Sequence, residues 1–178
     1  KNMIELNMTK DKGRSSIYKP NYSFLNRFPR NDLFNVKSIE NIYNVTTLDN
    51  LYSDKVISNV DFIKIDTQGS ELDILKGGKN YINNNALGIK IEVEFKPIYE
   101  KQPLFSDVDG FLSKELGFQI FDISTATWKY KEGQFKGPVK GQLVYGDALY
   151  FRDPYNFVDW IKLLNQEEAE NKILAAIF

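Results

Sequence analysis

The 178-residue sequence predicts an α/β fold built on a mostly parallel sheet with an antiparallel pair of strands at one edge. Three observations carry this reading. Short apolar segments alternate with amphipathic ones in the order strand, helix, strand, helix, strand, strand. The segment Val60-Asp61-Phe62-Ile63-Lys64-Ile65-Asp66 is rich in β-branched residues and stops at a turn, Thr67-Gln68-Gly69. The last two strands have no crossover-helix pattern between them, which makes them an antiparallel pair.

One domain is expected over 1–178, divided into an irregular arm or lid (1–45), an αβ core (46–153) and a C-terminal helix (154–178). In the arm, Ile4 and Leu6 alternate with polar residues as in a short edge strand. The stretch from Ser15 to Asp32 is polar and aromatic, punctuated by Pro20 and Pro29. A loop of that length is often functional; otherwise its aromatics (Tyr18, Tyr22, Phe24, Phe28) pack on a neighbour. Val45 to Leu48 reads as a short strand, and Thr47 or Asp49 as the cap of a short helix over Leu48 to Tyr52.

Ser70 with Asp73 resembles a capping box for the helix that follows the Val60–Asp66 strand. Gly77-Gly78 interrupts that helix. Leu87 to Phe95 is the next strand, and Asp107 to Leu116 a helix ended by Gly117. Phe118 to Ile123 is a third strand. A polar, Gly-rich excursion covers Ser124 to Gly146, a fourth strand covers Asp147 to Arg152, and a terminal helix covers Phe157 to Ile177. Its charged run Glu167 to Lys172 reads as a solvated face.

Composition narrows the chemistry. Apolar residues are 42% and aromatics 14%, enough for a packed core. The formal net charge of −1 supplies no global basic field, so nucleic acid is not an expected partner. There is no Cys and no His, which removes thiolate nucleophiles, His bases, His zinc sites and an ordinary serine-hydrolase triad. The absence of Cys suits a cytoplasmic protein. No apolar run approaches the roughly 20 residues of a membrane span. No P-loop, Gly-x-Gly-x-x-Gly or nucleophile elbow is present.

Ligands of open α/β sheets bind beyond the carboxyl ends of the strands. Those ends offer Asp66, Gln68, Gly69 and Glu71 from one strand, and Glu92, Glu94, Tyr99 and Gln102 from the next. Three readings stand for Asp66: a general base for a substrate hydroxyl, a ligand to a divalent cation shared with Glu92 or Glu94, or an acceptor for the backbone N–H groups of its own turn. Glu92 and Glu94 point to one side of their strand. They either pair with a base such as Lys64 or Lys90, or form a polar active-site wall. The residues leave metal dependence open.

The ordered segments from Asp61 to Gly78 resemble the signature of the FkbM-type methyltransferases: a strand ending in Lys-Ile-Asp, then x-Gln-Gly-x-Glu, an apolar pair and Lys-Gly. Upstream, Ser15-Ser16 with Pro20-Asn21 and Thr47-Leu48-Asp49 are similar to family segments. So are Ile91-Glu92-Val93, Tyr99, Gln102-Pro103-Leu104-Phe105, Asp109-Gly110-Phe111-Leu112, Gly117-Phe118 and Gly146-Asp147-Ala148-Leu149-Tyr150 downstream.

The resemblance implies a Rossmann-like class I methyltransferase fold. It also implies transfer of a methyl group from S-adenosylmethionine to a hydroxyl of a sugar or natural product, a small-molecule or glycan acceptor. It places Asp66 near the reacting methyl, Gln68 and Glu71 on the same turn and Glu92 on the neighbouring strand end; taken with the strand-end reading, Asp66 and Glu92 are the expected catalytic residues and Gln68, Gly69, Glu71, Glu94, Tyr99 and Gln102 the expected pocket. The Gly-rich loop and the acidic residue that hold the cofactor in such folds have no counterpart here, and the chain begins with Lys. The expectation is therefore the second half of the domain, without the cofactor-binding half and with an open sheet edge that a second copy would cover. The rival expectations are a non-catalytic α/β remnant that binds a partner or glycan, and another nucleotide-sugar enzyme.

Overall fold

A computed structural model describes residues 3–132 and 141–177. Strand β1 (Met3–Thr9) opens the chain, followed by helix α1 (Tyr22–Leu25), strand β2 (Val36–Tyr43) and helix α2 (Leu48–Ser53). The arm is thus not irregular: β1 and β2 form a two-stranded antiparallel sheet, pairing Met3 with Tyr43 and Met8 with Ser38. Val45 to Leu48 is not a strand. Thr47 instead caps α2, its Oγ1 accepting from Asn50 N at 3.2 Å.

Then come β3 (Phe62–Ile65), α3 (Glu71–Gly77), α4 (Lys79–Asn85), β4 (Gly88–Glu94), α5 (Phe105–Glu115), β5 (Phe118–Trp128) and β6 (Gln142–Arg152). Gly78 stands between α3 and α4, where a Cβ would meet Leu48 Cδ1 at 2.8 Å. Asp49 caps α4 from a distance, accepting from Tyr81 N at 2.7 Å. The Ser70 capping box is not formed, since the Ser70 hydroxyl donates to Thr67 Oγ1 at 2.9 Å instead.

The main sheet has the order β3-β4-β6-β5. Only β3 and β4 pair in parallel; β6 pairs antiparallel with β4 and with β5. The sheet is therefore mixed, with mostly antiparallel ladders, and the expectation of a mostly parallel sheet is corrected. The physical reason lies in β6. It returns directly from β5, so it runs against it, and its alternating Val144, Gly146, Ala148 and Tyr150 are all buried, which suits an interior strand. β5 carries Gln119, Asp122, Ser124 and Thr125 exposed and tolerates the rim. β5 still runs in the direction of β3 and β4, as two antiparallel steps require.

Both β5 and β6 extend into the stretch expected to be an excursion, whose middle lies outside the described residues. Gly146 permits the close approach of β5, since a Cβ would stand 2.6 Å from Ser124 O.

One sheet face is covered by α3, α4 and α5. Ile65, Ile89, Ile91, Val93, Ala148 and Tyr150 pack there against Leu72, Leu75, Ile82, Val108 and Leu112. The other face carries Phe62, Phe151 and Phe121, whose rings follow one another at 6.5 and 5.4 Å and stay exposed. A second core joins the arm to the ends of the long strands: Phe24, Leu25, Phe28 and Phe34 with Ile98, Tyr99 and Val144, and Trp128 and Tyr145 against it. The arm's aromatics pack on this chain's own sheet.

The C-terminal segment forms two helices, α6 (Pro154–Ile161) and α7 (Gln166–Ile177), rather than one. Asn165 breaks it by accepting from Glu168 N at 2.9 Å, an N-cap for α7. Lys172 does not sit on a solvated face. It is buried, and its Nζ donates to Asp61 Oδ1 at 2.6 Å, Asn85 O at 2.7 Å and Val60 O at 3.1 Å. Arg152 closes α4, donating from Nε to Ala86 O at 2.8 Å. Among the described residues, no helix is long and apolar enough to cross a membrane.

Candidate functional site

The carboxyl ends of β3 and β4 lie side by side in parallel register, Ile65 opposite Ile91. The chain leaves β3 through Asp66 and Thr67 and turns at Gln68, whose φ of 59° is left-handed, and at Gly69, with φ of 103°. An L-residue enters that region only when its surroundings hold it there. Glu71 supplies the hold. It is 2% exposed, and its carboxylate accepts from Thr67 N at 2.7 Å, Thr67 Oγ1 at 3.1 Å and Gly69 N at 2.9 Å. From the arm, the Ser16 hydroxyl donates to Gln68 O at 2.6 Å.

This turn projects Gln68 between the two strand ends. Its Nε2 donates to Glu92 Oε2 at 2.8 Å and to Asp66 Oδ1 at 3.2 Å. Its Oε1 lies 3.1 Å from the Tyr99 hydroxyl, which also lies 2.9 Å from Arg14 O. Asp66 forms an ion pair with Lys64 at 2.8 Å. The amide therefore ties two carboxylates into one unit.

Those carboxylates have opposite characters. The Lys64 ammonium beside Asp66 holds its carboxyl below the usual range, helped by hydrogen bonds from Gln68 and Glu92. Burial pushes Glu92 up to about 8, and the negative charges of Asp66, Glu71 and Asp147 push it the same way. The two carboxyls are thus pushed in opposite directions, Asp66 toward the ionised form and Glu92 toward the protonated one.

Glu94 is pushed up to about 9, first by burial and then by the charges of Glu71 and Glu92. It is 3% exposed, on the same side of β4 as Glu92. Burial also raises Glu71, against the hydrogen bonds from Thr67 and Gly69.

A cavity of about 200 Å³ opens at this point, lined by Gln68 and Glu92 together with Asp11, Arg14, Phe34 and Trp128. Asp66 stands outside that lining with its side chain 39% exposed. The structure brings Asp66, Gln68 and Glu92 together at the strand ends. It places Glu71, Glu94, Tyr99 and Gln102 behind them as buried support: Gln102 Oε1 accepts from Tyr99 N and fixes the loop after β4. Gly69 has no side chain to offer; it packs under Tyr99, where a Cβ would lie 3.3 Å from Cδ2.

The sequence places Asp147 at the opening of the last strand. It sits mid-strand in β6, directly opposite Glu92, and its charge raises the Glu92 pKa. The period-two pattern of Gly146, Ala148 and Tyr150 around it was the available signal. Arg14 and Trp128 were also missed; they come from the arm and from β5, far apart in sequence. Among the described residues, no group of three or more Asp, Glu, His or Cys side chains is arranged to hold a metal ion.

A family model described as the methyltransferase FkbM domain matches residues 1–120, a span that contains β3, the Gln68 turn and β4. No curated protein and no solved structure matches the chain.

Proposed function

This chain belongs to the FkbM methyltransferase family, and from that premise we propose that it serves S-adenosylmethionine-dependent O-methylation of a sugar or natural-product hydroxyl, with Asp66 and Glu92 as the reacting carboxylates. The observation that carries the reading is the Gln68 bridge, one amide donating to both carboxylates at 2.8 and 3.2 Å. A bridge of that kind fixes two acids of different pKa at one point, the arrangement general acid-base chemistry needs.

The cofactor, when bound, supplies an electrophilic methyl group. The negative charge of Asp66, tied through Gln68 to the cavity-lining Glu92, suits the positive charge of the cofactor's sulfonium end. The cavity of about 200 Å³ is below the roughly 300–1,000 Å³ of complete small-molecule sites, so it accommodates the reacting end and not the whole cofactor. The chain's own residues then act as follows. Asp66, ionised by its pairing with Lys64, accepts the hydrogen bond of the acceptor hydroxyl and orients it. With the cofactor bound, the hydroxyl oxygen would take the methyl group as the carbon–sulfur bond broke and the sulfur left as a neutral thioether, and the hydroxyl proton would pass to the carboxylate pair. Glu92 is the better acceptor once ionised, because its pKa lies nearer the working pH.

The test is transfer of labelled methyl from S-adenosylmethionine to a panel of hydroxylated sugars, with wild type, Asp66→Asn and Glu92→Gln. Loss of a positioned acid-base group costs about 10²–10⁴-fold, so Asp66→Asn should fall by that factor. Wild-type turnover should rise with pH through about 8, and Glu92→Gln should remove the rise. Unchanged turnover in Asp66→Asn would return that residue to a structural part. No transfer by the wild type or by an upstream-extended form, with no binding of S-adenosylhomocysteine to either, would favour a non-catalytic binding module.

A further inference from the structure

We propose that the acceptor is an anionic sugar, its ring and its charge held in a cationic aromatic annex beside the carboxylate pair. This rests on the methyltransferase reading for the reaction but not for the binding.

The annex is a second cavity of about 290 Å³. Trp128, Phe28 and Phe34 supply its flat apolar walls, and Arg14, Arg30 and Lys129 supply its charge. Among the described residues, no acidic side chain lines it. The aromatics brace one another: Phe28 meets Trp128 edge-on at 5.3 Å, and Phe34 lies 6.0 Å from Trp128. The indole is only half-buried, so part of it faces the cavity.

Arg14 lies 4.7 Å over the Phe34 ring and shares its Nε with Asp11 at 3.0 Å, which leaves further guanidinium N–H groups. Arg30 and Lys129 are exposed at the rim. Arg14, Phe34 and Trp128 line this cavity and also the one that holds Gln68 and Glu92, so the two spaces share a wall.

A ligand that matches these walls needs a flat face of C–H groups for the indole, an anion for three cations, and a hydroxyl within reach of the neighbouring cavity. A sugar ring bearing a phosphate or a carboxylate has all three. A neutral sugar would draw nothing from the charges of Arg30 and Lys129, which solvent satisfies at the rim, and a bare anion would leave the aromatic wall unused. The split of charge between the two cavities also orients such a molecule. Its anion is drawn to Arg30 and Lys129 and repelled by Asp66, so the hydroxyl end faces the carboxylates.

The experiment reads binding, without the cofactor. The sequence has two tryptophans, and in Trp160→Phe the remaining fluorescence reports Trp128. This protein is titrated with glucose, inorganic phosphate, glucose 1-phosphate and glucuronate, in the Trp160→Phe background and in the same background with Arg30→Asn and Lys129→Gln. Both replaced side chains are exposed, and Asn tolerates the left-handed backbone of Arg30.

The expected result is that at least one anionic sugar binds ten-fold or more tighter than glucose and than phosphate, that salt weakens it, and that the double replacement loses ten-fold or more. Whether glucose 1-phosphate or glucuronate binds tells phosphate from carboxylate. Three results overturn the proposal: no binding by either anionic sugar, glucose or free phosphate binding as tightly, or an unaffected double variant. Anionic sugars that bind but never accept a methyl group would sink the methyltransferase reading alone. Methyl transfer to neutral sugars with no preference for anionic ones would sink this proposal alone.

Discussion

Replacing Glu71 tests whether the turn that presents Gln68 is held by one buried carboxylate. In Glu71→Ala the amides of Thr67 and Gly69 lose the acceptors that stand at 2.7 and 2.9 Å. A buried donor left unpaired costs about 1–3 kcal/mol. Two such donors give about 2–6 kcal/mol, reduced because the wild-type carboxylate is itself destabilised by burial, as its raised pKa records. The net expectation is a loss of about 2–5 kcal/mol, or a fall in Tm of roughly 4–20 °C for a domain of this size.

Glu71→Gln keeps one acceptor oxygen and turns an amide toward the other donor, so it should lie between wild type and Glu71→Ala. Urea unfolding followed by far-UV circular dichroism gives the three free energies. An alanine variant within about 1 kcal/mol of wild type, or a glutamine variant less stable than the alanine one, would refute the staple.

Two further predictions concern the support behind the site. Glu92 and Glu94 have folded-state pKa values of about 8 and about 9, above the unfolded value of 4.5. The unfolded chain therefore binds fewer protons between those limits, and stability falls as pH rises from about 5 toward 9. Glu94→Gln should raise Tm at pH 8, change it little near pH 4, and flatten the profile; an equal shift at both pH values would show that Glu94 is not held protonated. Gly69→Ala forces a Cβ onto a residue with φ of 103° and to 3.3 Å from Tyr99, so it should cost about 1–3 kcal/mol in urea unfolding. A neutral effect would mean the turn relaxes freely.

The parts of the fold that were legible in sequence are those whose pattern is local. Phe62 to Ile65 carries the β-branched Ile63 and Ile65 and is followed at once by turn residues, and α5 carries Val108, Phe111 and Leu112 at helical spacing before Gly117, whose φ of 69° ends it. β2 left no such mark, because from Lys37 to Tyr43 every residue is exposed, and alternation records burial on one face. The interior place of β6 is a pairing choice made over distance, so its ladders with β4 and β5 could not be read from its own residues.

The site divides in the same way. Asp66, Gln68 and Glu92 stand at strand ends that the sequence marks. The depth of Glu94 and Tyr99 depends on the second core, where Phe24, Phe34, Ile98 and Val144 converge from four separate parts of the chain. Glu71 reads as a pocket residue in sequence; its hydrogen bonds from Thr67 and Gly69 show it as the staple of the turn.

The coupling of Asp66 and Glu92 is measured most directly by NMR titration of the protein with ¹³C-labelled glutamate carboxyls, the Glu92 resonance assigned through Glu92→Gln. A Glu92 midpoint near 8 is expected in the wild type, shifted downward in Asp66→Asn, where the neighbouring charge is gone but the burial remains. A midpoint near the ordinary 4.5, or one that Asp66→Asn leaves unmoved, would contradict that coupling.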